Sequence, residues 1–417
     1  MEEVVIEKLV HGGQGIGTLA DGRKVFVWNA LPGERVGVCI IKKKRSYAEA
    51  IAEEIITASP ERIEPEEDNY LATSPWQMMT FEAENRYKKS IAEELFAHEK
   101  VKFPGLSETT HNNRPWQYRN KMEYSFWGDD EGLHLALYRR GSHGKQIVQG
   151  SKLAMPTVDA AAEAVLAELQ RLNVRAGELK TIIVRSGQDG TSVASLFVKP
   201  ESFPELTLPA GLKGLRVYHS NPKSPASVPT KLLYELGDVR LQDSLVTKQF
   251  TYDSDSFFQV NIPVFEQALE RIKAHCDEPV ITDMYAGVGS IGLGVANEAV
   301  DLIELDPATA AMARVNAKKS GLNARVVEVS TEQALDYIKP DRPVIFDPPR
   351  AGLHAKVVER ALDHGPSKVV YLSCNPATQA RDLALLQHKY QVIDFQVFNF
   401  FPRTPHIETL AILQRTH

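Results

Sequence analysis

Apolar and polar residues follow three different patterns along the chain. In residues 1–58, short alternating segments are separated by turns rich in glycine and proline, which is typical of a small five-stranded β-barrel. Residues 80–258 mix helical and strand-like segments and predict an α+β middle domain. From 259 to 417, buried strands alternate with helices, which predicts parallel βαβ units in a doubly wound, Rossmann-like sheet. We therefore expect an α/β protein with three domains.

Between the barrel and the middle domain, residues 60–75 form a polar linker and residues 80–100 predict a helix. The charged residues of this helix predict a solvent-exposed face: Glu82, Glu84, Arg86, Lys88 and Lys89. In the C-terminal domain we expect strands at 279–285, 300–305, 324–329, 343–346, 368–372 and 410–413.

Length and composition indicate an ordinary soluble protein. The 417 residues are more than one hydrophobic core usually holds, and 43% of them are hydrophobic. No apolar run approaches the roughly 18–20 residues that cross a bilayer. The acidic start lacks the basic and apolar regions of a signal peptide. We expect a cytoplasmic monomer that does not contact a membrane.

The net charge of -6 argues against broad nucleic-acid binding and favours an enzyme for small molecules, unless a local basic surface exists. Residues 42–45, Lys-Lys-Lys-Arg, supply such a surface beside Tyr47 and predict phosphate contact by Lys43. The same run is also typical of an edge strand that is protected by charge. Both interpretations stay open here.

Three cysteines lie far apart: Cys39, Cys276 and Cys374. They are too few and too scattered for a disulfide framework, a zinc site or a four-cysteine iron–sulfur cluster. A single cysteine is usually a small buried hydrophobic residue, and Cys39 and Cys276 are interpreted in this way.

A glycine-rich turn at 283–292 lies between a predicted strand and a predicted helix. Gly287 and Gly289 let the backbone approach a ligand closely. Asp283 precedes the glycines, where it can meet a cationic amino group, and Glu304 ends the next strand, where it can accept from ribose hydroxyls. The turn predicts an S-adenosylmethionine site, with a nicotinamide dinucleotide as the alternative, because those sites share the glycines and the second acid.

Two further turns are expected at the same edge of the sheet. A buried strand leads into Asp-Pro-Pro-Arg, which begins at Asp347, and the next strand ends in Ser-Cys-Asn-Pro, which contains Cys374. Active sites of open α/β sheets lie at the carboxyl ends of strands. An aromatic residue in place of Arg350 would be typical of amino-group methyltransferases. The polar turn favours a reactive role for Cys374 over a structural one.

A thiol at this edge suits methylation of C5 of uracil. C5 is too weak a nucleophile to attack a methyl sulfonium unless a thiolate first adds to C6 and makes an enolate. A base must afterwards remove the C5 proton so that the thiol can leave. Glu408, before the last apolar strand, is the candidate base, and His406 is its rival.

These motifs together resemble the RNA uridine C5-methyltransferases, which modify 23S ribosomal RNA or the T-loop of transfer RNA. The resemblance extends over essentially the whole chain. It rests on a TRAM-like barrel at 1–58, Tyr-Arg-Asn-Lys at 118–121, Phe-Gln-Val-Asn at 258–261, the glycine turn, Asp-Pro-Pro-Arg, Ser-Cys-Asn-Pro-Ala-Thr at 373–378 and His-x-Glu at 406–408.

The resemblance implies that Cys374 is the nucleophile and Glu408 the base. It implies that S-adenosylmethionine is bound by Gln259, Tyr285, Gly287, Gly289, Ser290, Glu304 and Asp347. Ser290 stands where relatives often have Asn. RNA contacts are expected at Lys43 and, by resemblance, at Tyr118, Arg119, Asn120, Lys121, Arg139 and Arg140.

One feature departs from the family pattern. Many TRAM-bearing relatives hold a four-iron cluster on cysteines that follow the barrel, whereas residues 69–77 contain no cysteine. We therefore expect neither an iron–sulfur cluster nor another metal. Packing of Tyr70 and Trp76 is expected to take over the role of the cluster in holding the domains together.

The expected substrate is 23S ribosomal RNA because of the barrel, with the T-loop of transfer RNA as the alternative. Cytosine C5-methylation uses the same thiol chemistry, but its enzymes usually place the cysteine after Pro or Thr, whereas Ser373 precedes it here. A non-catalytic RNA-binding assembly factor would be expected to have lost Cys374 or Glu408. A small-molecule methyltransferase fits the net charge but does not need the barrel.

Overall fold

The N-terminal region is a closed five-stranded barrel. The computed structural model describes residues 1–142, 144–224 and 227–416. The barrel strands, in the order β1-β2-β3-β5-β4, are β1 (Glu2–Leu9), β2 (Gly15–Thr18), β3 (Lys24–Trp28), β4 (Arg35–Lys43) and β5 (Tyr47–Thr57). Alternate side chains such as Val4 and Ile6 fill the interior, because successive residues of a strand face opposite sides. The predicted barrel is confirmed.

Two helices follow the barrel. They are α1 (Tyr70–Thr73) and α2 (Phe81–His98), with a 3₁₀ turn over Pro75–Met78 between them. Helix α2 packs on the C-terminal domain, where Phe96 contacts Phe395. The exposed face predicted for this helix is wrong at Glu84 and Lys88, which are both fully buried. Their partners lie near the end of the chain, so the local charge pattern could not reveal them.

The middle domain is a seven-stranded sheet with a long helix on one face. The strands, in the order β12-β11-β10-β9-β6-β7-β8, are β6 (Lys121–Asp129), β7 (Gly132–Tyr138), β8 (Lys145–Ile147), β9 (Leu179–Ser186), β10 (Ser192–Val198), β11 (Leu212–His219) and β12 (Lys231–Gly237). Helix α3 (Pro156–Arg171) covers the sheet with Val158, Val165 and Leu169, which recur at helical spacing. A hairpin of β13 (Arg240–Leu245) and β14 (Lys248–Asp253) leads into the last domain.

The C-terminal domain is the predicted doubly wound sheet. Its strands, in the order β17-β16-β15-β18-β19-β21-β20, are β15 (Val280–Asp283), β16 (Ala299–Glu304), β17 (Asn323–Glu328), β18 (Val344–Phe346), β19 (Lys368–Ser373), β20 (Tyr390–Phe398) and β21 (Glu408–Arg415). Its helices are α4 (Ile262–Lys273), α5 (Ser290–Val295), α6 (Pro307–Lys319), α7 (Ala355–His364) and α8 (Pro376–Leu386). The first five strands of the sheet order are parallel, and β21 is antiparallel to both its neighbours. Within the described residues, no helix is long and apolar enough to cross a membrane.

Candidate active site

One edge of the C-terminal sheet gathers the predicted site residues. Asp283 and Glu304 end β15 and β16, while Asp347 and Cys374 directly follow β18 and β19. Glu408 reaches the same edge from the other direction, because it begins the antiparallel strand β21. The strand order reverses between β15 and β18, and open α/β sheets bind ligands beside such a reversal.

The glycine turn is hydrogen-bonded to Glu304, the acid that ends the next strand. The N–H of Gly287, whose φ is 57°, donates to Glu304 Oε2 at 2.9 Å. Glu304 Oε1 accepts from the N–H of Asp306 at 2.8 Å. Gly289 has a φ of 89°, a conformation that favours glycine, and it is followed by the half-buried Ser290 at the start of α5. A carboxylate oxygen has more than one acceptor position, so Glu304 can bind a ligand hydroxyl as well.

Two carboxyl groups, those of Asp283 and Asp347, lie at this edge of the sheet, and burial disfavours the negative charge of each. Asp283 is fully buried; its Oδ2 accepts from the N–H of Gly292 at 2.9 Å, and its Oδ1 has no partner. Burial raises the pKa of Asp283 to about 7. Burial and the charge of Asp283 raise the pKa of the partly buried Asp347 to about 7 as well. A cationic ligand would relieve both carboxylates, because an opposite charge nearby favours the ionised form.

Two other predicted ligand residues are Tyr285, two residues after β15, and Gln259, three residues before α4. Tyr285 is half-buried, and burial raises its pKa to about 12, so it stays a neutral phenol. Gln259 is buried, and its backbone carbonyl oxygen accepts from the side-chain amide of Asn120 at 3.0 Å.

Cys374 is partly buried in a turn with fixed geometry. The N–H of Asn375 donates to Ser373 Oγ at 3.1 Å, and the Asn375 amide donates to the carbonyl oxygen of Arg350 at 2.8 Å. The cysteine turn is thereby tied to the Asp-Pro-Pro-Arg turn. Burial, followed by the charges of Glu408 and Asp347, raises the pKa of Cys374 to about 11. The thiol of the free protein is therefore protonated at neutral pH.

Glu408 begins the strand next to the one that Cys374 follows. Ser373 pairs with Thr409 in the β19–β21 ladder, so Glu408 and Cys374 are the next pair in the same register. Burial and the charge of Asp347 raise the pKa of Glu408, while Arg350 and Lys88 act in the opposite direction.

His406, the rival base, is exposed and stands edge-on to Phe401. Partial desolvation of its ring and then the charges of Arg350 and Lys88 lower the pKa of His406 to about 4. It is therefore neutral at neutral pH and a weaker base than a free histidine.

Comparison with known proteins shows which family the chain resembles. A profile described as tRNA (uracil-5-)-methyltransferase matches residues 227–416, and a TRAM domain profile matches residues 1–52. An uncharacterised RNA methyltransferase of Halalkalibacterium halodurans is 30% identical, over 99% of this chain and 96% of the relative. A similar protein of Enterococcus faecalis is 28% identical, over 99% and 97%.

The chain belongs to the tRNA (uracil-5-)-methyltransferase family of RNA methyltransferases. Among solved structures, the tRNA (uracil-54, C5)-methyltransferase of Pyrococcus abyssi, in complex with S-adenosyl-L-homocysteine, is 22% identical and has a TM-score of 0.80. The two chains match over 99% of this one and 100% of the other. The fold of the whole chain, including its barrel, is thus shared with a member of this family.

The residues predicted to contact RNA occupy different surroundings. Lys43 and Arg139 are exposed. Lys121 is partly buried, and desolvation followed by the charge of Arg185 lowers its pKa to about 8. Arg119 is partly buried as well, and its Nε has no partner. RNA contact by these residues stays a prediction.

The other residues of that set connect domains. The side chain of Asn120 is buried and donates to Gln259, while the Tyr118 hydroxyl donates to the carbonyl oxygen of Pro402 at 2.9 Å. The Arg140 guanidinium lies 4.0 Å from the centroid of the Trp28 ring, and its Nε donates to the carbonyl oxygen of Leu71 at 2.6 Å. These side chains join the middle domain to the C-terminal domain, the barrel and the linker.

Tyr70 and Trp76 connect the segment after the barrel to the barrel itself. Trp76 is fully buried, and its indole N–H donates to the carbonyl oxygen of Gly13 at 3.0 Å. The Tyr70 hydroxyl donates to Asn29 Oδ1 at 2.7 Å. In the ranges that the structure describes, no group of three or more His, Cys, Asp or Glu residues could hold a metal ion.

One residue near this edge, His11, was not predicted from the sequence. His11, in the glycine-rich turn after β1, is exposed and lies near Asn375, next to Cys374, and partial desolvation lowers its pKa. Its turn packs tightly, because a Cβ on Gly13 would come within 2.3 Å of Pro405. The barrel turn therefore lies beside the candidate site, which the sequence order did not reveal.

Proposed function

We propose that this protein transfers a methyl group from S-adenosylmethionine to C5 of a uridine in RNA. The placement of Cys374 opposite Glu408 carries this proposal, because C5 methylation needs both a nucleophile for C6 and a base for the C5 proton. Asp283 and Asp347 beside them suit a cationic methyl donor.

The residues at the edge suit S-adenosylmethionine. Asp283 offers an unpartnered carboxylate oxygen, and open space lies where Gly287 lacks a side chain. Glu304 would accept from the ribose hydroxyls, and Gln259, Tyr285, Gly289, Ser290 and Asp347 would complete the site. When bound, this group supplies an electrophilic methyl on a positively charged sulfur.

The chain's own residues perform the remaining steps. The Cys374 thiol gives up its proton to solvent, the thiolate adds to C6, and the electrons of the C5–C6 double bond move onto O4 as an enolate. C5 then forms its bond to the methyl carbon, while the carbon–sulfur bond of the donor breaks and leaves a neutral thioether. Glu408 takes the C5 proton, the double bond forms again, and the bond between Sγ and C6 breaks to release the thiolate.

RNA is expected to lie across the barrel and the sheet of the middle domain. A groove of about 630 Å³ on that sheet is lined by Tyr138, Lys145, Lys180 and Lys199. These lysines make the groove locally positive although the whole chain has a net charge of -6, and positive side chains can contact phosphates. Lys43, Arg119, Lys121 and Arg140 are the proposed contacts nearer the barrel and the site.

Within RNA we propose 23S ribosomal RNA as the substrate, because of the barrel. The T-loop of transfer RNA is the second candidate, favoured by the description of the matching profile. We also propose that the protein acts as a monomer, because one chain supplies every residue of the candidate site.

The test uses the full chain with tritiated S-adenosylmethionine and two transcripts, a 23S fragment set and a transfer RNA. Nucleoside analysis should find 5-methyluridine in the ribosomal RNA. Label in the transfer RNA alone would reassign the substrate, and 5-methylcytidine would reassign the base. If the enzyme labels neither transcript, and also labels no nucleoside in total RNA taken from a strain that lacks it, the proposed function is wrong.

A further inference from the structure

The segment 399–407 joins β20 to β21 and ends at the proposed base Glu408. Helix α2, from much earlier in the chain, runs against this segment. Lys88 of α2 has no exposed surface. Lysine is almost never fully buried unless it is paired, so its partners indicate its role.

Lys88 binds the segment at two points. Its Nζ donates to Asn399 Oδ1 at 2.6 Å and to the carbonyl oxygen of Phe401 at 2.9 Å. The same Nζ lies 3.0 Å from Oε1 of Glu84, one turn earlier on α2 and also fully buried. One ammonium group therefore holds the start of the segment that leads to Glu408.

Glu84 binds the same segment at Arg403, two residues after Phe401. Both of its carboxylate oxygens accept from the N–H of Arg403, each at 3.0 Å, and Oε1 accepts from the Asn399 amide at 2.8 Å. Arg403 has a φ of 63°, which side chains rarely adopt and which surrounding contacts must maintain. Its guanidinium donates to the carbonyl oxygen of Met79 at 2.8 Å, before α2.

The ammonium group also acts on the base through its charge. Burial and Asp347 raise the pKa of Glu408, whereas Arg350 and Lys88 lower it. The titratable and charged groups around this site come from several elements: Asp347 and Arg350 after β18, Cys374 after β19, Glu84 and Lys88 in α2, and Arg403 and His406 in the segment itself. Of the two cations that lower the pKa of Glu408, Lys88 is the one that also fixes the backbone before it.

We propose that Lys88 is a positioning residue for Glu408: with Glu84 it holds the segment 399–407 against α2 and keeps a positive charge behind the base. This inference rests on the proposed function for its effect on the reaction. The contacts themselves do not depend on which substrate is methylated.

Two variants and one control test the proposal. Lys88→Met removes the charge and keeps an unbranched chain of similar length, but it leaves Glu84 buried without its cation. Glu84→Gln/Lys88→Met removes both charges and keeps the fold testable if the single variant fails to fold. Lys89→Met is the matched control, because Lys89 is the next residue, is partly exposed and pairs only loosely with Glu93 at 4.0 Å.

The first measurement is hydrogen exchange of the backbone amides in 399–408 in the free protein. Both Lys88 variants should exchange there about tenfold faster or more, with Lys89→Met unchanged, because the local opening is no longer opposed by the buried contacts. Unchanged exchange in both Lys88 variants would overturn the proposal.

The second measurement is the pH profile of uridine methylation. Without Lys88 the pKa of Glu408 rises, so the acidic limb should move to higher pH, with about a tenfold loss at its acidic end and recovery in alkaline buffer. A covalent RNA–protein adduct should accumulate in acidic buffer, because proton removal from C5 becomes slow. A loss that is equal at every pH would mean that Lys88 is only structural.

The two measurements separate the inference from the function on which it rests. If the wild-type protein methylates no RNA but amide exchange in 399–408 still increases in the Lys88 variants, the proposed function is wrong. The role of Lys88 in holding the segment 399–407 is then correct. If the wild-type protein forms 5-methyluridine and neither exchange nor the pH profile changes in the variants, the function is correct and the role of Lys88 is wrong.

Discussion

Ser373 pairs with Thr409 at the end of the antiparallel ladder between β19 and β21, and this register, continued by one residue, sets Cys374 opposite Glu408. Residues opposite each other in such a ladder project on the same face of the sheet, with their Cβ atoms close together. A thiol and a carboxyl group therefore share one face at the ligand edge, although their strands run in opposite directions.

Replacement of Cys374 by alanine should abolish methylation and leave S-adenosylmethionine binding nearly unchanged. The thiol is needed to activate C5, whereas the expected contacts with the donor come from Gln259, from the end of β16 and from the turns after β15 and β18. Calorimetric titration and turnover with RNA measure the two effects separately. Cys39→Ala, at an exposed position, is the control. Activity within a few-fold of the wild type would exclude Cys374 as the nucleophile.

The variant Glu408→Gln should trap a covalent complex with RNA. Addition of the thiolate and transfer of the methyl group need no base, but proton removal from C5 does. The adduct should migrate slowly on a denaturing gel and carry the labelled methyl group. The same experiment with His406→Gln tests the rival, and an adduct only in that variant would reassign the base.

The reactivity of Cys374 should depend steeply on pH in the free protein. Burial and the charges of Glu408 and Asp347 raise its pKa to about 11, so alkylation by iodoacetamide should be slow at neutral pH and rise towards that value. Glu408→Gln should move the rise to lower pH, because it removes one of the charges. Peptide mass spectrometry follows each cysteine; Cys276, buried and with a pKa raised to about 12, should stay protected. Equal rates at Cys374 and the exposed Cys39 near pH 7 would contradict this.

The variant Asp283→Asn should be more stable than the wild type at alkaline pH. The folded carboxyl keeps its proton up to about pH 7, whereas in the unfolded chain it loses it near the ordinary value of 3.8. Folding therefore binds a proton between these values, and the wild type loses stability as the pH rises from about 4 to 7. The gain in Tm should be largest above pH 7 and vanish near pH 4, while donor binding weakens. Asp336→Asn, at a position with a 99% exposed side chain, should show neither effect.

Trp76→Ala should loosen the barrel from the rest of the chain. Loss of a fully buried tryptophan costs about 3–5 kcal/mol, and the hydrogen bond to Gly13 goes with it. Urea unfolding should show this loss, and limited proteolysis should cut within residues 58–80. Trp127→Ala is the control: Trp127 is 45% exposed, so its loss should change the free energy of unfolding little. Equal effects of the two variants would contradict a stapling role for Trp76.

Local sequence patterns were sufficient for the elements that carry the site. The barrel, the parallel strands and the turns at Asp283, Asp347 and Cys374 were predictable because alternation, glycine and proline act over a few residues. The carboxyl ends of parallel strands meet at one edge, so those turns could be brought together without a structure.

Long-range contacts were beyond the reach of these patterns. Glu84 and Lys88 have the spacing of an exposed helix pair, yet both are buried against residues 399–403. Asn120 looked like an RNA contact within its motif, and the structure shows its amide bound to Gln259. His11 lies near Asn375 because the barrel turn packs on Pro405, which only the assembled domains reveal.

The contacts of α2 also bear on how the chain is made. Lys88 and Asn399 are 311 residues apart, so the helix leaves the ribosome long before its partners exist. Until then, Glu84 and Lys88 have to stay hydrated, because charges buried without their partners are costly. The C-terminal sheet cannot place Glu408 until β21 has been synthesised and can pair with β19 and β20, so activity cannot begin before that point.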